Sequence, residues 1–447
     1  MTRFLTATAA AWMCTAAMAA DDTVMLQEKS APGQQRHHRI TLAVNGKMTT
    51  EKGEQPLTGQ AALQYPERIL EVDADGVPKK VVRYYAGARA KFNVAGEDVE
   101  HSIRPEVRMA VAERADVGCS VWSVGGPFTA DELEVVEDLL DVTRIPGLLP
   151  NKNVKVGDGW NVDAKVGQAL CNLETLITGS QLAATVKEIK DGKVVVKVKG
   201  EAHGMQQGGE AKIKVEASLV YSVADSMVVG LDWTQTDSRA ASPVAPAGNY
   251  KVRIEVKRDK SESPNLSDTA LANVDVVAKP ELKMLLLEGP EKQYRFLHER
   301  NWHVTALRKN VLVMRCVKNN EFLGQLSIVS LNDKAPGNTV GLEDFHKLVE
   351  NASHLKVDPV ETIEELKNTS GVALKKIVTT GASQNGQSKL AHRHYLATGA
   401  NGSQLLFSFL CDVGNAKKLG TSDESIVNTL EVPPVQAAVK EPAGSGR

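Results

Sequence analysis

Residues 182–190 (LAATVKEIK), 191–204 (DGKVVVKVKGEAHG), 208–223 (GGEAKIKVEASLVYSV) and 225–236 (DSMVVGLDWTQT) follow one another with apolar and polar side chains in alternation. A period of two sends every second side chain to the same face, as in strands with one face in a core and the other in water. Asp191-Gly192, Gly208-Gly209 and Asp225-Ser226 supply the turns between them. A long antiparallel meander is expected, continued by YKVRIEVKR (250–258) beyond the break Ser242-Pro243-Val244-Ala245-Pro246-Ala247-Gly248. Such a sheet either leaves its outer face in water, the ordinary arrangement of antiparallel sheets, or wraps an apolar ligand on its inner face.

Upstream of the meander, strands are expected from Ile40 (ITLAVNG), at Arg68 to Asp73 and at Lys80 to Tyr85. Phe128 to Thr143 changes period: Thr129 and Glu132 are spaced as a capping box, and Leu133, Val136, Leu139 and Leu140 share a helical face. Two prolines and a glycine in Ile145-Pro146-Gly147-Leu148-Leu149-Pro150 stop that helix. VKVGDGWNV (154–162) then reads as a turn and strand entry with Trp160 over a core edge. Its glycine spacing and the absence of a following Lys-Ser/Thr rule out a phosphate loop.

Downstream, VLVMRCV (311–317), FLGQLSIVSL (322–331), VALKKIVTTG (372–381), KLAHRHYLATG (389–399) and SQLLFSFLCDV (403–413) read as strands. Thr339 to Ser353 (TVGLEDFHKLVENAS) is an amphipathic helix, with Leu342, Phe345, Leu348, Val349 and Ala352 on one face and Glu343, Asp344, Lys347 and Glu350 on the other. A short helix from Asp423 to Leu430 follows. Glu361 to Lys367 reads as a charge-mixed, solvated surface.

The chain's start has the layout of a secretory signal: Arg3, an apolar run from Phe4 to Ala16, and Ala17-Met18-Ala19 before Ala20-Asp21-Asp22. Cleavage near Ala19 and a periplasmic or extracellular location are expected, and no later apolar run approaches the ~18 residues of a membrane helix. With 447 residues, two domains are expected. A formal charge of −2 from 53 basic and 55 acidic side chains, without a basic stripe, gives nucleic acid no electrostatic footprint.

After cleavage four cysteines are left: Cys119, Cys171, Cys316 and Cys411. Export permits bridges, with Cys119–Cys171 and Cys316–Cys411 the pairing compatible with separately folding domains; buried free thiols are the alternative. His37 and His38 are adjacent and point to opposite faces of a strand, which is poor geometry for a metal. His392 and His394 flank Arg393 and share a face, so two imidazoles could join one ion if His298, His303 or Glu299 supplied a third ligand. A partly exposed polar sheet face is the plainer explanation. No Gly-x-Ser-x-Gly elbow or Cys-x-x-Cys pair occurs, and the sequence specifies no cofactor.

The order strand, strand, helix, three strands, helix in the C-terminal third carries a resemblance. Trp302, Gly324-Gln325-Leu326-Ser327-Ile328, Leu342-Glu343-Asp344-Phe345, and Tyr395 before Ala400-Asn401-Gly402 resemble the PsbP-like superfamily. That resemblance implies an antiparallel sheet with helices on both faces, and members that mostly bind other proteins or assist assemblies. GLLPNKNVKVGDGWNV (147–162) is similar to a helix-then-strand segment of exported bacterial proteins.

The expectation is therefore an α+β protein: signal peptide 1–19, flexible leader 20–39, β-rich domain 40–275 with one main helix, linker 276–292, PsbP-like α/β sandwich 293–432 and disordered tail 433–447. Its expected role is that of an exported, non-catalytic binding or accessory protein acting on another protein, an envelope component or a small apolar ligand. A metal-dependent enzyme or metal-binding protein using His392 and His394 is the alternative.

Overall fold

The computed structural model describes residues 23–433 except 117, 138–139, 332, 336–337, 353–357 and 383–387. The signal segment 1–19 and the tail beyond residue 433 lie outside the described residues.

The alternating segments form the strands Thr175–Lys190, Lys193–Gln206, Gly209–Ser222, Met227–Arg239 and Ala247–Asp259, paired in sequence order by antiparallel ladders. The last of them pairs with Gln35–Thr50, which pairs in turn with the 20-residue strand Gly53–Val72. That strand forks. Leu57 to Gln64 pair with Gly87–Val94, whereas Glu67 to Val72 pair with Pro78–Tyr84. Pro66, which has no N–H to give a ladder, stands at the change of partner. The result is a 13-stranded antiparallel sheet.

The inward side chains of this sheet, from Ile40 and Ala61 to Val194, Ile213, Leu231 and Trp233, belong to one core. The helices Ala130–Glu137 and Ala164–Leu170 and the 3-10 turn Val142–Leu148 pack into it through Leu133, Val136, Ile145, Leu148 and Leu170. The expected capping box forms, Thr129 N donating to Glu132 Oε2 at 2.9 Å and Glu132 N to Thr129 Oγ1 at 3.2 Å.

A second, seven-stranded antiparallel sheet runs from the edge strand Trp302–Arg308 through Val311–Lys318, Glu321–Ser330, Gln404–Asp412, Lys389–Thr398 and Ala373–Ala382 to the edge strand Thr362–Lys367. Phe345 and Val349 of the helix Leu342–Ala352 pack on Ile377, Leu396 and Leu406 on one face. On the other, Ile426 and Val427 of Ser422–Asn428 pack with Tyr395, Phe407 and Phe409. Between the sheets, Leu285 enters the first core and Leu287 the second. Arg300 donates to Glu137 at 3.1 Å, and Arg315 to the Pro243 carbonyl at 2.7 Å.

Three expectations are corrected. The α+β class is overturned: 55% of the described residues are in strands and 16% in helices, so the protein is mainly β and its C-terminal part is no balanced α/β sandwich. The three helical signals yield short elements of 8, 11 and 7 residues, Ala164–Leu170 adds an unexpected one of 7, and the strands extend through polar outward positions that alternation alone leaves unassigned. The stretch taken as a flexible leader holds Val24–Leu26 and the start of Gln35–Thr50, because Glu28, Arg36 and His38 are buried there. The disulfides are absent: Cys119, Cys171, Cys316 and Cys411 are free thiols.

Candidate functional site

The large sheet has a sealed end and an open one. At the sealed end Glu28 accepts from Arg36 Nη1 at 2.8 Å, from Arg258 Nη2 at 2.5 Å and from Val228 N at 2.8 Å. Beside it, Arg83 Nε donates to Glu67 at 2.9 Å and lies over the Tyr65 ring, while His38 stacks on Tyr65 with its Nε2 3.4 Å from Glu67. All of these side chains are buried. Burial alone would raise the Glu67 carboxyl, but the charges of His38 and Arg83 outweigh it and hold the group well below the carboxylate range. Buried in this way, the network organises the fold.

Along Gln35–Thr50 the inward positions pass from buried Arg36, His38 and Ile40 to half-buried Leu42, Val44 and Met48. Leu57, Phe92 and Val252 continue the same half-buried apolar wall on neighbouring strands. They face a cavity of about 630 Å³ whose lining also includes Gln206, Gln235, Leu140 and Leu170. Gln206 and Phe92 stand six strand positions apart, roughly 29 Å in a flat sheet. That both border one hollow means that the sheet curls around it, with the short helices filling the rest. A volume of this size suits a small organic ligand.

A polar ladder leads from the dry core to the mouth along the inward positions of Met227–Arg239. Trp233 Nε1 donates to Gln235 Oε1 at 2.8 Å, Gln235 Nε2 to both Asp237 oxygens at 3.0 Å, and Arg239 Nη2 to Asp237 Oδ2 at 2.8 Å. The Arg239 guanidinium lies 5.9 Å from the Tyr250 ring centre. Cys119 and Cys171 also border the cavity. Burial pushes both thiols up, Cys171 to about 12 with help from the Asp237 charge, so neither is a ready nucleophile.

At the rim His101 sits against Phe92 and addresses two carboxylates of the helix Ala130–Glu137, Asp131 at 4.0 Å through Nε2 and Glu134 at 3.4 Å through Nδ1. Among the described residues this is the one group of three ligand-type side chains close enough for an ion. The two acids approach opposite ring nitrogens, and no hydrogen bond to Nδ1 forms among the described residues.

His392 and His394 do share a face, with ring centres 5.8 Å apart, but both are buried. His394 Nδ1 bonds Ser408 Oγ at 2.9 Å, and burial pushes its pKa down to about 4 and lowers that of His392. The third ligands proposed for them do not arrive. His303 stands on the Trp302–Arg308 edge strand, four places away, roughly 19 Å. His298 packs on Phe296, in the core of the opposite face, and its Nδ1 bonds the Glu299 carbonyl at 2.9 Å. The sequence left an apolar ligand on the inner face of the sheet as one reading but placed no cavity and did not single out His101, because both depend on strands far apart in the chain.

No known protein family matches the chain, and no curated protein sequence matches it. Among solved structures, a Bacteroides thetaiotaomicron protein is 13% identical, with 34% of this chain and 48% of that one covered and a TM-score of 0.26. Lipovitellin is 6% identical, with 54% and 27% covered and a TM-score of 0.29. The translocator domain of the autotransporter NalP from Neisseria meningitidis is 7% identical, with 85% and 88% covered and a TM-score of 0.14. The chain spans about half the length of the first and about a quarter of the second. These scores lie below those of a shared fold, and function is read from the site. No helix among the described residues is long and apolar enough to cross a membrane.

Proposed function

We propose that this is an exported, non-catalytic protein that holds a small apolar molecule inside its curled sheet. The observation that carries the reading is the half-buried wall of Leu42, Val44, Leu57, Phe92 and Val252, which borders both the core and an open hollow. Apolar surface left open in this way gains roughly 25 cal/mol per Å² when a ligand covers it. The signal-like start at Arg3 to Ala19 supports export. Binding through His392 and His394 finds less support, since no third ligand joins them among the described residues.

The test is a native mass spectrum of protein purified from its own host, followed by solvent extraction. A bound small molecule that extraction removes supports the reading; empty protein that also fails to take up any apolar probe refutes it.

A further inference from the structure

We propose that the molecule held in this cavity carries an uncharged hydroxyl head on its apolar part; this rests on the cavity being a ligand site. Two polar atoms of the lining are buried and without a hydrogen-bond partner among the described residues: Gln206 Oε1, an acceptor, and Arg239 Nε, a donor. Both side chains belong to the inward face of the sheet. Gln206 pairs in register with Gly209, and Arg239 with Ala211 two residues further along that same strand, so their Cα atoms stand roughly 12 Å apart in a flat sheet. Gly209 and Ala211, the inward residues of the strand between them, themselves contribute at most a methyl group.

A polar group buried without a partner is costly, so each of these atoms favours a ligand that completes it. An ammonium gives to Gln206 Oε1 but cannot accept from Arg239 Nε, and a carboxylate accepts but has no proton to give. A hydroxyl does both through one atom. Charge points the same way. Arg239 Nη2 already donates to Asp237 at 2.8 Å and Gln235 Nε2 to both Asp237 oxygens at 3.0 Å, so the charges of this pair cancel beside the head. A charged head would lose water there without gaining a counter-ion from the pair. Leu42, Val44, Leu57 and Phe92 take the apolar part, and Gln206 with Arg239 reads the head.

The experiment uses the mature protein loaded with the neutral fluorophore N-phenyl-1-naphthylamine, displaced by octanol, methyl octyl ether, octanoate and octyltrimethylammonium below their solubility and aggregation limits. Octanol is expected to bind about fivefold tighter than the ether, which accepts but cannot donate, although the ether is the more apolar of the two. Both ions are expected to bind more weakly than octanol. Gln206→Met should erase the advantage of octanol over the ether. Arg239→Lys, which keeps a charge beside Asp237 but has no Nε, should weaken both alike. An ether as tight as octanol in the wild type shows that water alone serves the two atoms and overturns the hydroxyl reading. Either ion binding tighter than octanol, or an octanol advantage undiminished in Gln206→Met, overturns it too, and the cavity reading survives all three results. Failure of the fluorophore to bind at all overturns the cavity reading itself.

Discussion

Glu28 and Arg258, 230 residues apart in the chain, meet in a two-point contact, with Arg258 Nη2 2.5 Å from Oε1 and Nη1 3.2 Å from Oε2. Arg36 joins the same carboxylate, so one buried acid ties the segment around Glu28 to both Gln35–Thr50 and Ala247–Asp259. Glu28→Ala leaves two buried guanidinium groups without their counter-charge. A loss of about 3–5 kcal/mol in urea unfolding is predicted. A change within the error of the fit would show that the network does not hold the sealed end together.

Acid should loosen the same end through Glu67. Its carboxyl is held below the carboxylate range in the folded protein, so the stability it contributes is present above the unfolded value and is lost as pH falls through the folded one. The unfolding midpoint of the native protein is predicted to drop more steeply below about pH 4 than that of Glu67→Gln, whose curve starts lower and runs flatter. Parallel curves would remove Glu67 from the account.

The smaller sheet should respond at milder pH. His394 is buried and its pKa is pushed down to about 4, so its neutral form is the folded one. Stability from this residue is present above the ordinary histidine value near 6.5 and declines as pH falls toward the folded value. Hydrogen exchange in Lys389–Thr398 is predicted to quicken between pH 6.5 and 4.5, after correction for intrinsic rates, and less so in His394→Gln. Equal protection at both pH values would contradict it.

Cys316 and Cys411 pair in register with the same residue, Gly324, from either side. Two strand spacings put them roughly 10 Å apart, beyond the ~7 Å limit for a bridge. A Cβ at Gly324 would also stand only 3.1 Å from that of Cys411. Unreduced mature protein is predicted to show four reactive thiols once unfolded and slow labelling while native, since burial raises Cys171 and Cys316 to about 12. Fewer than four thiols in the unfolded, unreduced protein would falsify this assignment.

Much of the sheet architecture was legible from alternation. The meander 182–257 and the shared face of His392 and His394 follow from a period of two, and the capping of Phe128 to Thr143 from Thr129 and Glu132. Pairings across long sequence distances were not legible, because nothing local says that Gln35–Thr50 lies between Ala247–Asp259 and Gly53–Val72. The polar run from Gln34 to Arg39 looked mobile for the same reason: Arg36 and His38 are buried by Glu28, Glu67 and Arg258, which sequence spacing cannot bring together. Glu361 to Lys367 looked like plain surface and is an edge strand, its charges turned outward and Glu365 paired with Lys375 at 2.7 Å. The cavity needs the curl of the whole sheet, so alternation alone left it unplaced.

The most direct test is titration of N-phenyl-1-naphthylamine into the wild-type protein and into Val44→Phe and Val252→Phe, whose added rings occupy the hollow that these residues line. Circular dichroism and the emission of buried Trp233 would check that the variants fold. The account predicts saturable binding of one probe per wild-type chain and at least a tenfold weakening in each folded variant. Unchanged affinity in both folded variants, or no saturable binding to the wild type, would contradict it.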